Sequence, residues 1–451
     1  MNYQVHTFGC KVNTYDTGLI QKNLSQHKIS SLEPKLDPRI HVLNTCAVTA
    51  EATKEAVRLI RKLKIKDPFC TIVVTGCAAQ VDTGAFADLP GADLVVANSH
   101  KGLLPQIIEQ YFKGEVKEKV FKSNIFRKDD LEMGGGEERS HTRSFLKIQD
   151  GCNSFCTYCI IPFARGKSRS IPVHDLIIRI NELYEQGVRE VVLTGVHIGD
   201  YEDRVGDKKL KLEDLVERIL MGTRIPRFRL SSLEPIEVTD RLLDLYQDSR
   251  MCPHFHMSIQ SANTEVLEGM KRNYNQAQVI ESLVKISERV SGAFVGMDVI
   301  VGFPSESEAQ FEDTYAVLAE TPWTRLHVFP YSERPGTKAA LMTGAIHGSE
   351  RARRGQKLRE LSLHRYQSQA LQQIGKIKDV LVLKATAKGL TQGLSRDYWP
   401  VEISGVNELA SLAGQEIKLE IKNYFQNPQK LEGHLQATPL GQGKVLTHDA
   451  N

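Results

Sequence analysis

Residues 145–166 read FLKIQDGCNSFCTYCIIPFARG. The first six residues have the apolar, β-rich character of a strand. At Gly151 the strand gives way to three thiols, Cys152, Cys156 and Cys159, in C-x3-C-x2-C spacing. At this chain's cysteine frequency such a triplet arises by chance about 0.003 times. Structural zinc usually takes four protein ligands, often in paired C-x2-C arrangements, so three thiolates with no obvious fourth suit an iron–sulfur cube with one open iron better. An open iron is a coordination position that a substrate or cofactor can chelate. Zinc or purely structural thiols are the plainer alternative.

Working outward, FLKIQD is the first of six strand patterns between residue 142 and about residue 345. The others are REVVLTG, FRLSSL, HFHMSI, AFVGMDVIVGF and RLHVFPY, and helical periodicities such as LIIRINELYEQG and VIESLVKISERV lie between them. Six βα units predict a partial (β/α)6 barrel over 142–370 with chemistry at the C-terminal strand ends. Several of those ends offer a cofactor surface. Gly195 gives exposed backbone after VVLTG, Ser232 and Glu234 end one strand, Gln260 ends another, and Asp298 leads to Gly302. Small residues permit close approach, and carboxylates and amides can bond ribose hydroxyls and an ammonium group; the bland reading of each is a cap or turn residue.

Residues 1–113 alternate strand patterns (YQVHTF, HVLNTC, CTIVVTGC, LVVAN) with helical ones, which predicts βαβ units on a parallel sheet. Cys10, Cys46 and Cys77 each fall at or just beyond a strand's C-terminal end, and in a parallel sheet those ends share one rim. The three thiols either converge there or are ordinary buried cysteines; Cys70 and Cys252 precede strands and read as structural. Residues 114–141, with Gly134, Gly135 and Gly136, read as a linker. A helical, basic stretch runs from Arg351 to Lys378. Short strands to about residue 440 (VLVLKAT, YWPVEI, QEIKLEI, KLEGHLQA) suggest a small β-barrel over 371–440, with a loose tail after Gly441.

Composition narrows the function classes. The 451 residues carry 58 Lys and Arg against 55 Asp and Glu, so the global charge of +3 announces no polyanionic partner. Locally, Lys54–Lys66 holds six basic residues against one acid, Arg165, Lys167 and Arg169 follow the cysteine loop, and Arg351–Lys378 holds eight basic residues against Glu360. Such stripes suit phosphates, and Tyr398 and Trp399 on a small barrel could stack bases; a solvated helix face and core aromatics are the alternative. No long apolar run or secretory leader is visible, so we expect no membrane partner, a cytoplasmic location and eight cysteines kept as thiols. Neither G-x-G-x-x-G nor G-x4-G-K-[ST] occurs, which argues against nucleoside triphosphate chemistry.

TFGCKVN, NTCAVT, VTGCAAQ, GCNSFCTYCIIPFARG, RLSSLEP, MDVIVGFPSE and FPYSERPGT together resemble the methylthiotransferase branch of the radical S-adenosylmethionine enzymes over nearly the whole chain. That resemblance implies two [4Fe-4S] clusters, one on Cys152, Cys156 and Cys159 and one on Cys10, Cys46 and Cys77. It implies S-adenosylmethionine lined by Tyr158, Gly195, Ser232, Glu234, Gln260 and Asp298, and a TRAM-like RNA-binding barrel. It further implies a tRNA anticodon stem-loop as partner, a reducing electron donor and a sulfur donor. TFGCKVN and FLKIQDGCNSFCTYCIIPFARGKSRS look most like the subgroup that methylthiolates C2 of N6-threonylcarbamoyladenosine at tRNA position 37. Prenylated adenosine is the alternative substrate, and a non-catalytic, metal-stabilised RNA-binding protein is the alternative from another class.

Overall fold

The computed structural model describes residues 2–27, 40–128, 142–385, 391–404, 412–426 and 433–439. The tail after Gly441 and residues 129–141 of the expected linker lie outside the described residues.

IHVLNT and TIVVTG are β-branched, nearly uncharged runs, and as Ile40–Thr45 and Thr71–Gly76 both strands are buried at every position. They form the centre of a five-stranded parallel sheet in the order Tyr3–Thr7, Ile40–Thr45, Thr71–Gly76, Leu94–Ala97, Val120–Phe121. Alternate side chains face opposite ways. Val42 and Val73 pack with the helices Lys11–Gln26 and Leu104–Phe112, whereas Leu43, Ile72 and Val74 pack beneath Ala56 and Ile60 of the helix Ala50–Lys66. The fifth strand corrects the linker expectation. Two residues are too short to stand out in a charged stretch, yet Val120 and Phe121 pair with Val95 and Val96 and add an edge to the sheet.

The six expected core strands form as Arg143–Lys147, Glu190–Thr194, Arg227–Leu230, His254–Gln260, Phe294–Val301 and Arg325–Pro330. The first three pair in parallel with one another, as do the last three, and the two groups are joined by a parallel bridge from Phe228 to Met251 and by the pairing of Ser232–Leu233 with His256–Met257. The result is an open arc. The helix Lys11–Gln26 packs against its first strand and the helix Gly348–Leu371 against its last. The core inside is continuous, from Leu146 and Val191 through Phe228 and Phe255 to Met297 and Leu326.

The basic helix ends at Leu371, earlier than the charge pattern suggested. Gly375 adopts φ +83, and its N–H is taken by the Ile421 carbonyl, so the chain has already entered the C-terminal unit. That unit is a closed barrel of Ile377–Ala385, Thr391–Ser395, Pro400–Ile403, Gly433–Pro439 and Glu416–Gln426. Arg227 and Arg229 of the core seat it by donating to the carbonyls of Leu394, Ser395 and Arg396. Among the described residues no helix is long and apolar enough to cross a membrane.

Candidate metal centres and their shared core

The loop bearing Cys152, Cys156 and Cys159 leaves the first core strand and is closed at its base by pairing of Gln149–Asp150 with Arg169–Ser170. Gly151 adopts φ +77 with the Lys167 carbonyl where a Cβ would lie, so only glycine fits. Gln149 stitches this loop to the turn after the second strand. Its Nε2 donates to the Gly151 carbonyl (2.7 Å) and Ser168 Oγ (2.8 Å), and its Oε1 accepts from the Val196 and His197 amides (3.1 and 2.9 Å). Gly195 lies beside that clamp, with Gln149 Oε1 only 2.9 Å from a hypothetical Cβ.

The sulfurs have N–H donors aimed at them. Arg272 Nη1 lies 3.2 Å from Cys156 Sγ and the Ser154 amide 3.4 Å from Cys152 Sγ. Burial pushes the Cys159 thiol up to about 12, with the charges of Cys156 and Cys152 adding to it. The three thiols share one loop, and a bound cation is what would let them ionise together. Cys152 goes the other way: burial opposes ionisation, but bonds from His197 and Ser154 outweigh it.

Around this loop sits a cluster of ionisable groups, only one of which stood out in the sequence. Glu234 bonds Arg272 at 2.8 Å and lies 3.3 Å from His197 Nε2, whereas Glu237 lies 2.5 Å from that nitrogen and Asp200 3.3 Å from Nδ1. Burial alone would lower the imidazole, but bonds to Asp200, Cys152 and Glu237 hold it protonated. Burial pushes the Glu234 carboxyl up despite Arg272 and His197. Tyr158 packs with Met270, Phe303 and Tyr331, and its hydroxyl feels the Arg272 charge. Ser232 and Asp298 group instead around His256: Ser232 pairs with it across the ladder and Asp298 bonds its Nε2 at 3.0 Å. Gln260 ends its strand at φ +62, opposite Val299, and makes no side-chain hydrogen bond to either group among the described residues. Of the residues that sequence reasoning missed, His197 and Asp200 had a signal, since GVHIGD directly follows the second strand. Arg272 had none, because it enters from a loop more than a hundred residues away.

The N-terminal thiols all lie at one end of their sheet. Cys10 caps the helix Lys11–Gln26, Cys46 follows its strand directly, and Cys77 opens the helix Cys77–Val81. Gly9 at φ +87 makes the approach possible, for a Cβ there would lie 2.5 Å from Cys46 Sγ. Burial pushes the Cys46 thiol up to about 12, with Cys77 and Cys10 contributing. Asn98 Nδ2 donates to Cys77 Sγ at 3.6 Å and to the Ala164 carbonyl at 2.9 Å, which ties this site to the other. Ile160, next to Cys159, and Ala164 belong to the same apolar cluster as Phe8, Cys46 and Cys77. Each set of three thiols, with its sulfur-directed donors and, among the described residues, no competing carboxylate paired to the N-terminal set, fits an iron–sulfur group.

Between the two sets lies a buried ion network. Arg165 bonds Asp150 (2.9 Å), Asp16 (3.0 Å) and Asn13 (2.6 Å); Lys147 bonds Asp16 (2.7 Å) and Asp150 (3.1 Å); Lys101 bonds Asp16 (3.1 Å). Three cations and two anions leave it one positive charge in excess. Burying ions costs several kcal/mol each unless every partner is present, so the network tolerates only one docking of the N-terminal sheet on the core arc.

The same network corrects the phosphate reading of Arg165, which is 4% exposed and turned inward. The basic helix is likewise engaged internally. Arg354 bonds Glu306, Glu308 and Glu350, Lys357 bonds Glu312, and Arg365 donates to the carbonyls of Ala319 and Thr321. Tyr398 stacks on His254 at 3.8 Å, and Trp399 packs against Phe294 and Tyr366, so both aromatics dock the barrel and stack no bases. The stripe at Lys54–Lys66 does stay at the surface: Lys54, Arg58, Arg61 and Lys62 are exposed.

Comparison with known proteins agrees with this layout. Residues 146–318 match the radical SAM superfamily and residues 2–97 match the uncharacterized protein family UPF0004. The chain is 35% identical to the threonylcarbamoyladenosine tRNA methylthiotransferase MtaB of Aquifex aeolicus, over 91% of this chain and 99% of that protein. It is 33% identical to the protein of the same name from Bacillus subtilis, over 92% of each. It is 30% identical to the tRNA-2-methylthio-N(6)-dimethylallyladenosine synthase of Staphylococcus epidermidis, over 96% of this chain and 85% of that protein. Among solved structures it resembles the radical S-adenosylmethionine methyltransferase TsrM of Kitasatospora setae with cobalamin and a [4Fe-4S] cluster bound. The TM-score is 0.56 at 13% identity over 75% of this chain and 76% of the other, a likeness of fold alone.

Proposed function

The chain belongs to the radical S-adenosylmethionine tRNA methylthiotransferases, and from that premise we propose that it methylthiolates C2 of N6-threonylcarbamoyladenosine at tRNA position 37 using two [4Fe-4S] clusters. Cys152, Cys156 and Cys159 hold the cluster that meets S-adenosylmethionine, and Cys10, Cys46 and Cys77 hold the second. The observation that carries this reading is the packing of the helix Cys77–Val81 on the helix Ile161–Arg165, which gives the two thiol sets one apolar core. When bound, the first cluster supplies the electron for reductive cleavage of S-adenosylmethionine, which an unactivated aromatic C–H bond requires, and the second keeps the sulfur donor within reach.

The chain's own residues prepare both places. Arg272 and the Ser154 amide donate to the sulfurs of Cys156 and Cys152 and so orient them. Gln149 fixes the loop against the Gly195 turn, so its thiols and the half-buried backbone of residues 195–197 keep one spacing. Glu234, Gly195 and Tyr158 adjoin the first thiol set, and Ser232, Gln260 and Asp298 extend the S-adenosylmethionine site along the neighbouring strand ends. The apolar cluster of Ile160, Phe8 and Cys46 packs the chain after Cys159 against the N-terminal sheet.

Anaerobic reconstitution tests the cofactor reading: two clusters bind about eight irons per chain and absorb near roughly 400 nm, whereas zinc is colourless. Mass spectrometry of tRNA nucleosides from cells with and without the gene tests the substrate. Loss of 2-methylthio-N6-threonylcarbamoyladenosine, with accumulation of its unthiolated precursor, is the expected result. Loss of the 2-methylthio derivative of prenylated adenosine instead would reassign the substrate.

A further inference from the structure

Three phenylalanine rings cluster at the surface beside the cysteine loop. Phe155 precedes Cys156, Phe163 lies on the helix after Cys159, and Phe126 comes from the turn Ile125–Arg127. Their centroids are 5.9–6.2 Å apart, with Phe126 and Phe155 stacked and Phe163 edge-on to both. Phe155 and Phe163 are 37% and 41% exposed, an unusual expense of apolar surface for two large residues at neighbouring positions.

The arrangement is built from three segments rather than left over. Phe155 is held at φ +48, a left-handed conformation that bulky residues adopt only where the surroundings impose it. The Asn124 side chain caps the turn by accepting from the Phe126 amide at 3.0 Å, and Ile125 is buried beneath it. Gly166, at φ +83, lets the Ile125 carbonyl approach to 2.6 Å from where a Cβ would lie. Arg169 Nη1 donates to the Lys128 carbonyl at 2.9 Å and ties this turn to the base of the cysteine loop.

Charge decides what such a surface takes. Residues 119–128 and 151–170 contain no acid, while Lys122, Arg127 and Lys167 are exposed on the two segments that carry the rings. Aromatic faces with a cationic rim match an unpaired nucleobase and its phosphates, since every base offers a π-face and the backbone a negative charge. We propose that Phe126, Phe155 and Phe163 form a stacking platform for an unpaired base of the tRNA anticodon loop, next to the adenosine being modified. This rests on the tRNA reading above and adds the place where the loop is held open.

The test uses the reconstituted full-length protein with unmodified tRNA, comparing the Phe126→Ala/Phe163→Ala double variant with Phe126→Leu/Phe163→Leu and Phe163→Trp. Phe155 is left in place because it adjoins a cluster cysteine. Dissociation constants are measured by fluorescence anisotropy across a salt series, with iron content recorded for each protein. The double alanine variant is expected to bind at least about tenfold more weakly, since losing a base–aromatic stack commonly costs that much. The slope of log Kd against log salt should not change, because no phosphate contact is lost. Leucine, which keeps bulk without a π-face, should behave like alanine, and tryptophan should bind at least as well as wild type. Binding of the alanine variant within twofold of wild type, or full binding by the leucine variant, overturns the proposal, and a protein or lipid would then be the better occupant. Wild-type protein that binds and modifies tRNA while the variants bind equally well fails this inference alone. Wild-type protein that binds no tRNA fails the function proposed above as well.

Discussion

Replacing Gly9 with alanine should empty one thiol set and spare the other. Gly9 adopts φ +87, which costs a non-glycine residue about 1–2 kcal/mol. The added Cβ would also lie 2.5 Å from Cys46 Sγ and 2.6 Å from Cys46 Cβ, whereas carbon and sulfur atoms in contact keep about 3.5–4 Å. Cys46 must therefore shift by about 1 Å or more, and overpacking of this kind costs about 1–3 kcal/mol. Together these give a destabilisation of about 2–5 kcal/mol in anaerobic urea titration of the metal-free protein, with most of the displacement falling on a sulfur that must meet iron. Gly187→Ala is the control, because Gly187 sits at φ +90 with nothing within 4 Å of a Cβ, so it isolates the backbone strain. Reconstituted Gly9→Ala protein should hold about four irons in place of about eight. It should still cleave S-adenosylmethionine under reducing conditions but form no methylthio product. Full iron content and full methylthiolation in this variant would refute the convergence of Cys10, Cys46 and Cys77 on one cluster, and a Gly187→Ala protein with the same defects would assign them to strain alone.

Arg165→Met should destabilise the protein by about 3–5 kcal/mol, because it leaves Asp16 and Asp150 short of a buried cation, and limited proteolysis should then release the N-terminal sheet from the core. Trp399→Ala should cost about 3–5 kcal/mol and expose the barrel to proteolysis near the strand Ile377–Ala385, since the indole fills the joint with Phe294 and Tyr366. Stability should also fall in acid through Glu190. Burial alone would raise its carboxyl, but Arg229, Arg143 and Arg227 hold it well below the usual range. A lowered folded value means the contribution is complete above the unfolded carboxylate value of about 4.3 and is lost as pH falls towards the folded one. Urea midpoints should therefore be level from about pH 7 to 5 and drop below about pH 4, with a shallower drop in Glu190→Gln; an unchanged acid slope in that variant would show that other carboxylates set it.

The sequence by itself determined most of the elements and the grouping of the first three thiols. Cys152, Cys156 and Cys159 lie within eight consecutive residues, so spacing alone shows that they share a loop. The six core strands announce themselves because a strand buried on both faces must be an apolar run, and the turns between them are local too. The convergence of Cys10, Cys46 and Cys77 was half visible, since strand-end position predicts a common rim but not that glycine at position 9 lets a thiol lie against it. What the tertiary structure decided is the partner of each polar or aromatic side chain. A basic helix reads the same whether its cations meet phosphate or, as Arg354 and Lys357 do, carboxylates more than forty residues earlier in the chain. Tyr398 and Trp399 read the same whether they stack on bases or on His254 and Phe294. Arg272 carries no local mark of its bond to Cys156, 116 residues away. Periodicity records which face of an element is apolar, because burial acts on each residue separately. The pairing of charges, rings and sulfurs depends on which elements the fold brings into register, and that is a property of the packed molecule.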